Sequence, residues 1–187
     1  MWQSDVMSSF YMPYGNNGSR MAYLVGMIDD HSRRDMHSEF YFDATLPRLE
    51  DTLRKAVTKH GAPVSIYVDN GKIFVSEQFK LICARLGIRI KFATPFNAAG
   101  KGKIERYWQT VQTSFLPEVR KQPVKSLSEL NELWDTFKEF NKDILISILD
   151  DLSLKASDFN RNFLYYIARI RSNYLEKLSK FKEVTNE

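Results

Sequence analysis

Residues 64–68 read "VSIYV" and run directly into "DNG" at 69–71. Five residues uninterrupted by charge form a short strand of the kind buried on both faces, and such a strand needs helices above and below it. The flanking sequence supplies them. Between Leu46 and His60, Leu49, Leu53, Ala56 and Val57 share one helical face, and "GAP" at 61–63 stops the helix through Gly61 and Pro63. Downstream, Ser76 suits the N-cap of a helix whose Phe79, Ile82, Cys83 and Leu86 line one face, and Gly87 closes it. "IRIKFA" at 88–93 then supplies another strand.

Before this unit the pattern differs. Residues 2–12, 21–29 and 36–43 are rich in Tyr, Phe, Met and Val, and "GNNGSR" at 15–20 separates the first two as a hairpin turn does, so the three read as an antiparallel meander. After Pro95 comes a polar, glycine-rich loop, "FNAAGKG" at 96–102, and a helix expected from Gly102 to Phe115, with Ile104, Trp108, Val111 and Phe115 facing the core. Three strands, helix, strand, helix, strand, helix is the order of an α/β fold with a mixed five-stranded sheet flanked by helices. Pro117 and Pro123 are expected to end that unit. Ser128 is expected to cap a helix bearing Leu130, Leu133, Trp134 and Phe137, and a longer helix is expected over 158–181. The resulting division is a core over 1–120 and a helical C-terminal extension over 121–187.

The net charge of +4 and a pI of about 9.1 suit a polyanionic partner. Cys83 is the only cysteine, which excludes an intramolecular disulfide and a Cys-rich zinc site, and a reducing cytoplasm is expected. No apolar run approaches the roughly 20 residues that span a bilayer, so no membrane partner is expected. His31, His37 and His60 lack ligand-type spacing with one another or with Cys83.

Three acids stand out by position: Asp5 inside the first strand, Asp69 at the end of the buried strand, and Glu105 on the late helix. Each has an ordinary explanation taken alone. "DNG" is a turn signal, and an acid in a first helical turn is favoured by about 0.3 to 1 kcal/mol. As a set they suggest more, because clustered carboxylates resist ionisation unless cations neutralise them, and hard oxygen ligands select magnesium or manganese. Two such ions serve phosphodiester cleavage or transfer. Lys101, Lys103 and Arg106 flank Glu105, and Lys72 follows Asp69, as phosphate-binding candidates. Asn70 and Gly71 are expected to shape the turn presenting Asp69, and Gly100 and Gly102 to let the backbone flex or approach substrate. Asp29 and Asp30 fall at a strand end, where turn and hydrogen-bonding roles are expected.

These strings resemble the catalytic core of bacterial insertion-sequence transposases and retroviral integrases, the DDE recombinases of RNase H-like fold. "WQSDV" (2–6) is similar to the family's first catalytic strand, "IDDHSRR" (28–34) to its second-strand end, "YVDNGKIFVSEQF" (67–79) to its second-aspartate motif, and "TPFNAAGKGKIERYWQTVQ" (94–112) to its glutamate motif. The 35 residues between Asp69 and Glu105 match the D,D-35-E spacing. The likeness covers residues 2 to about 120 and weakens afterwards: Phe140-Asn141 keeps an aromatic-Asn pair, but Ile146 stands at the family's His position and the following Pro is missing.

The resemblance implies an RNase H-like fold and two divalent cations, Mg2+ or Mn2+, with Asp5 and Asp69 binding or bridging them and Glu105 completing the second site. It implies hydrolysis at transposon ends, then attack of the exposed 3′-hydroxyl on target DNA by a homo-oligomer in a synaptic complex. A nuclease of the same fold without strand transfer, or a catalytically idle DNA-binding or assembly module, is the alternative. The implied setting is the bacterial cytoplasm, at the nucleoid when DNA is bound. The chain begins just before the first catalytic strand, so end recognition is expected from elsewhere and DNA association is expected to be weak and salt-dependent.

Overall fold

The structure is a computed structural model that describes residues 1–15, 18–94, 100–121 and 124–152, with side chains described as far as residue 139. The expected helix over 158–181 lies outside these residues. Two compact units divide the chain, Met1–Asp135 and Thr136–Glu187. The sheet and all the candidate site residues belong to the first.

Five strands form one sheet in the order β3-β2-β1-β4-β5. β1 (Trp2–Tyr14), β2 (Gly18–Asp29) and β3 (Asp35–Tyr41) are the expected antiparallel meander, and β4 (Ser65–Val68) and β5 (Arg89–Phe92) extend it in parallel beyond β1. β1 and β2 run further than the sequence pattern suggested, because Tyr11 to Tyr14 keep pairing with Met21 to Gly18 past a register shift after Ser8. The added residues, Pro13, Tyr14 and Gly18 to Arg20, are exposed, so burial did not mark them.

Side-chain alternation divides the sheet into two faces. On one, Trp2, Val25, Met27, Ile66 and Val68 pack against Leu49, Leu53 and Ala56 of α1 (Leu46–His60) and against Phe79 and Cys83 of α3 (Glu77–Arg85), with Phe74 of the short α2 (Lys72–Val75) between them. Ser76 caps α3 by accepting from the Phe79 N–H, and Gly87 follows α3 at φ 69°, which glycine adopts at little cost.

The other face carries α4 (Gly102–Thr110) and the start of α6 (Leu127–Leu152). The expected helix reaches Phe115, but the turn Val111–Phe115 is π-helical and the helical path continues beyond it. Pro117 has no N–H to return to the preceding turn. It does not end the helical path, however: it lies in the first turn of α5 (Leu116–Val119), where a missing N–H is tolerated. The cap expected at Ser128 belongs to Ser126, whose Oγ accepts from the Glu129 N–H while Glu129 accepts from the Lys125 N–H. Trp134 is buried beside Phe115 and Phe40 with ring centroids 4.9 and 6.0 Å away, and its indole N–H donates to Ser38.

On the first face His37, Glu39 and Lys55 form a half-buried ionic row. The His37 hydrogen bond, with help from Lys55, lowers the Glu39 carboxyl to about 2. A depressed carboxyl stabilises the fold above its unfolded value of 4.5 and loses that contribution as pH falls towards 2. Glu39→Gln is therefore expected to lower stability at pH 7 by up to about 3 kcal/mol, with the gap from wild type closing between pH 4.5 and 2. Urea unfolding across that range measures it, and a gap independent of pH contradicts it.

Candidate active site

β1 and β4 are neighbouring parallel strands in which Trp2 pairs with Ile66 and Gln3 with Tyr67. Carrying the same offset two residues further sets Asp5 beside Asp69, which directly follows β4. Because side chains two residues apart share a face, Gln3, Asp5, Tyr67 and Asp69 all belong to the face carrying α4. β1 is also where the sheet changes from antiparallel to parallel pairing; Asp69 lies just past the carboxyl end of β4, where open sheets of this kind place ligands, and Asp5 lies beside it within β1, just past the residues that pair with β4.

The two carboxylates meet one cation. Lys101 Nζ lies 3.0 Å from Asp5 Oδ1 and 3.0 Å from Asp69 Oδ2, with the lysine side chain 15% exposed, Asp5 17% and Asp69 41%. The remaining oxygens are also fixed. Asp5 Oδ2 accepts the indole N–H of Trp108 at 3.0 Å, and Asp69 Oδ1 accepts the backbone N–H of Gly71 at 2.7 Å. Burial pulls the Lys101 ammonium towards neutrality, but Asp5 and Asp69 outweigh it and hold its pKa above the usual lysine value. Asn70 ties the same turn to the end of β5 through the Ala93 carbonyl at 3.1 Å.

The beginning of α4 is held from β1. Lys101 is its N-cap residue but gives no side-chain cap. Gln3, 1% exposed, supplies the acceptor instead: its Oε1 takes the Ile104 N–H at 3.2 Å, while its Nε2 donates to the Gly100 carbonyl at 2.9 Å and to Asp30 Oδ1 at 2.7 Å. Lys103 Nζ donates to the Asp30 carbonyl and to Asp30 Oδ2, at 2.8 and 2.9 Å. Gly100 must be small, because a Cβ there would collide with the Tyr67 hydroxyl. Further along, Trp108 packs so closely on Gly26 that a Cβ on the glycine would lie 2.7 Å from the indole.

Glu105 lies one helical turn beyond Lys101 on the same side of α4, is exposed, and takes no part in the Asp5–Lys101–Asp69 cluster. Among the described residues no three His, Cys, Asp or Glu side chains gather closely enough to hold a metal ion. The structure thus brings two of the three expected acids together and leaves the third at the rim.

Of the expected phosphate contacts, Lys101 and Lys103 have acidic partners within the chain, whereas exposed Lys72 and Arg106 have no ion-pair partner among the described residues. Arg106 and Lys103 line a cleft of about 490 Å³ with Arg33, Gly102, Tyr107 and Thr110. Arg33 is exposed and holds φ at 62°, in a turn where its N–H donates to the Asp29 carbonyl and Asp29 also accepts from Ser32. Sequence reasoning missed Arg33, Gln3, and the Trp108 N–H. Only "IDDHSRR" carried a signal for the first, and the other two follow from register.

The donor set suits a hard divalent cation: two carboxylates converge on one positive centre, with the Lys101 ammonium in the place of the ion. Each carboxylate is oriented by a separate N–H donor, as metal-binding carboxylates commonly are. Asp5 and Asp69 would hold such an ion in their present positions; Glu105 would have to turn inward to join them.

The family model described as "Integrase core domain" matches residues 1–98, more than half the chain, and so includes Asp5 and Asp69 and stops short of Glu105. The chain is 26% identical over 170 residues to the transposase for transposon Tn552 of Staphylococcus aureus, covering 83% of this chain and 34% of that protein. It is 32% identical over 114 residues to the Gag-Pro-Pol polyprotein of Simian retrovirus SRV-2, covering 57% of this chain and 6% of the polyprotein. The chain therefore spans about a third of the first relative and a small part of the second. Among solved structures, the simian T-cell lymphotropic virus intasome in complex with a PP2A regulatory subunit matches with a TM-score of 0.58 at 24% identity, over 71% of this chain and 46% of that one. The HTLV-2 integrase catalytic core domain in complex with magnesium matches with a TM-score of 0.54 at 21% identity, over 71% and 82%. The sheet and its flanking helices have the RNase H-like fold of these catalytic cores.

Proposed function

We propose that this chain, which belongs to the integrase core domain family, is the catalytic core of a DNA transposase or integrase, a polynucleotidyl transferase that cuts DNA at element ends and joins the freed 3′-hydroxyl to target DNA. The observation that carries the proposal is the pair of aspartates, Asp5 within β1 and Asp69 at the end of the adjacent parallel β4, drawn around one positive charge. Asp5 and Asp69 hold divalent cations, Mg2+ or Mn2+, and Glu105 completes a second position when DNA draws it inward. Bound there, a pair of such ions supplies Lewis-acid polarisation of the scissile phosphodiester and charge stabilisation for the attacking and leaving oxygens.

The chain's own residues do the rest. Trp108 and the Gly71 N–H orient the two carboxylates, Asn70 holds the turn, and Gln3 fixes the start of the helix that carries Glu105. Gly100 leaves room for the Tyr67 hydroxyl, and Gly102, with open space at its Cβ, lets the backbone approach substrate. Lys72, Lys101, Lys103 and Arg106 bind DNA phosphates, and the cleft at Arg33 adds a further contact. The relatives and neighbours include transposases and an intasome, and solved neighbours of the HTLV-2 core take dimeric and trimeric forms, which supports a homo-oligomer acting on element ends and target DNA. No described helix is long and apolar enough to cross a membrane, and a cytoplasmic site of action beside DNA is part of the proposal.

The test is incubation with labelled donor and target DNA and Mg2+ or Mn2+. Joined product supports the proposal. Cleavage without joining indicates a nuclease of the same fold, and binding alone, indifferent to Asp69→Asn, indicates an idle module. At the cleft, Arg33→Ala is expected to weaken binding to duplexes of any sequence and to reduce the slope of log affinity against log salt by about 1, the signature of one lost phosphate contact. Fluorescence anisotropy over a salt series measures this, and an unchanged slope removes Arg33 from the interface.

A further inference from the structure

Lys101 occupies the position that a cation between Asp5 and Asp69 would take, and that has a consequence for how a metal arrives. Its Nζ is 3.0 Å from one oxygen of each carboxylate, closer than a hydrated ion could stand to either with the ammonium in place. Two carboxylates and one ammonium leave the cluster with one net negative charge, so the site is balanced well enough to persist and is still attractive to a divalent ion.

We propose that Lys101 is the resident counter-cation of the aspartate pair, that a divalent ion binds only by displacing its ammonium, and that this lysine thereby sets the metal affinity of the site and couples it to DNA. The inference rests on the reading of Asp5 and Asp69 as metal ligands.

The surrounding structure makes displacement a side-chain event. The backbone at Lys101 is held on both sides: Gln3 fixes the Gly100 carbonyl and the Ile104 N–H, and the Lys101 carbonyl accepts the Glu105 N–H at 3.1 Å as the first turn of α4 closes. The lysine stem has four rotatable bonds and can swing away without moving that backbone. A Cβ at Gly102 would meet nothing within 4 Å, so the position after Lys101 is open. The Asp5 and Asp69 oxygens that Lys101 releases are the ones facing the shared position, because their other oxygens stay with Trp108 and Gly71.

Coupling follows from where the freed charge goes. An ammonium leaving two carboxylates needs another anion, and a DNA phosphate beside α4 supplies one. Phosphate binding by the displaced Lys101 lowers the cost of metal entry, and metal entry frees the lysine for phosphate. By linkage each ligand raises the affinity of the other by the same factor.

The experiment is calorimetric titration of the whole chain with Mn2+, with and without a short DNA duplex, for wild type, Lys101→Met, Lys91→Met and Asp69→Asn. Lys101→Met keeps the stem and removes the charge. It is expected to bind Mn2+ about tenfold more tightly than wild type in the absence of DNA, while the DNA-induced gain in Mn2+ affinity shrinks. Lys91→Met, which removes an equal charge from an exposed position opposite Tyr67 on β5, is expected to change affinity by no more than about twofold. Lys101→Met binding no more tightly than wild type overturns the inference, and so does an equal gain in Lys91→Met, which would assign the effect to net charge. Asp69→Asn separates the role of the lysine from the existence of the metal site. If wild type and Lys101→Met both bind Mn2+ equally with or without Asp69, the metal site itself is misplaced, and if neither binds at all the metal reading falls with the inference.

Discussion

Asp69→Asn and Asp5→Asn are each expected to reduce metal-dependent cleavage and joining by on the order of a thousandfold, with the fold intact. The size follows from what the carboxylates do. Charge stabilisation by ions at a phosphoryl centre is worth several kcal/mol, and each 1.4 kcal/mol is about tenfold in rate. The fold should survive because asparagine keeps an oxygen for the donor that orients each residue, the Trp108 indole for Asp5 and the Gly71 N–H for Asp69. Lys101 retains one carboxylate in either variant. The double variant should be little worse than either single one, because residues that hold the same ions fail as a unit. Glu105→Gln is the informative companion. Glu105 is exposed and outside the cluster in the free chain, so a comparable loss would show that DNA and metal draw it in. Gel assays of cleaved and joined product, with circular dichroism to confirm folding, decide the matter. Activity within tenfold of wild type in either aspartate variant contradicts the proposed site.

What made the sheet readable was composition and order: strands rich in Tyr, Phe, Met and Val up to Tyr41, a hairpin turn between the first two, and an unbroken apolar run at 64–68 between two helical patterns. The outer ends of β1 and β2 were hidden because Pro13, Tyr14 and Gly18 to Arg20 are exposed and carry no burial pattern. The displaced cap is a matter of two residues: Ser126 and Ser128 both suit an N-terminus, and the Glu129 N–H donating to Ser126 while the Glu129 carboxylate accepts from the Lys125 N–H selects the first. At the site, Asp5 and Asp69 were legible because acids at strand positions need a reason. Trp108 was legible as a core residue, which it is, and its N–H found Asp5 only through the closeness of α4 to Gly26. Lys101 and Lys103 read as a basic surface flanking Glu105. Both turned out to face acids contributed by other elements, a pairing that depends on how α4 crosses β1 and on where the β2 turn ends.

Gln3 is where this crossing is decided, and Gln3→Leu is expected to lower stability by about 2 to 4 kcal/mol, or roughly 10 °C in Tm. Leucine fills the space but leaves three partners without the glutamine: the Ile104 N–H, the Gly100 carbonyl and Asp30 Oδ1. The first matters most. The opening N–H groups of a helix have no partner within it, and Lys101 at the N-cap provides none, so Gln3 acts as a cap delivered from the neighbouring strand. Without it the first turn of α4 should fray, and that turn carries Lys101 at its edge and Glu105 at its end. Activity should therefore fall even at temperatures where the variant is folded, and the Ile104 amide should exchange with solvent faster while amides of β2 remain protected. Asp30→Asn separates the cap from the ionic tie, since it keeps an acceptor for Gln3 and weakens only the hold on Lys103. It should cost less stability than Gln3→Leu and leave Ile104 protected. A Gln3→Leu protein that melts within about 2 °C of wild type and keeps the Ile104 amide protected would show that α4 holds its place by its buried Ile104 and Trp108 alone.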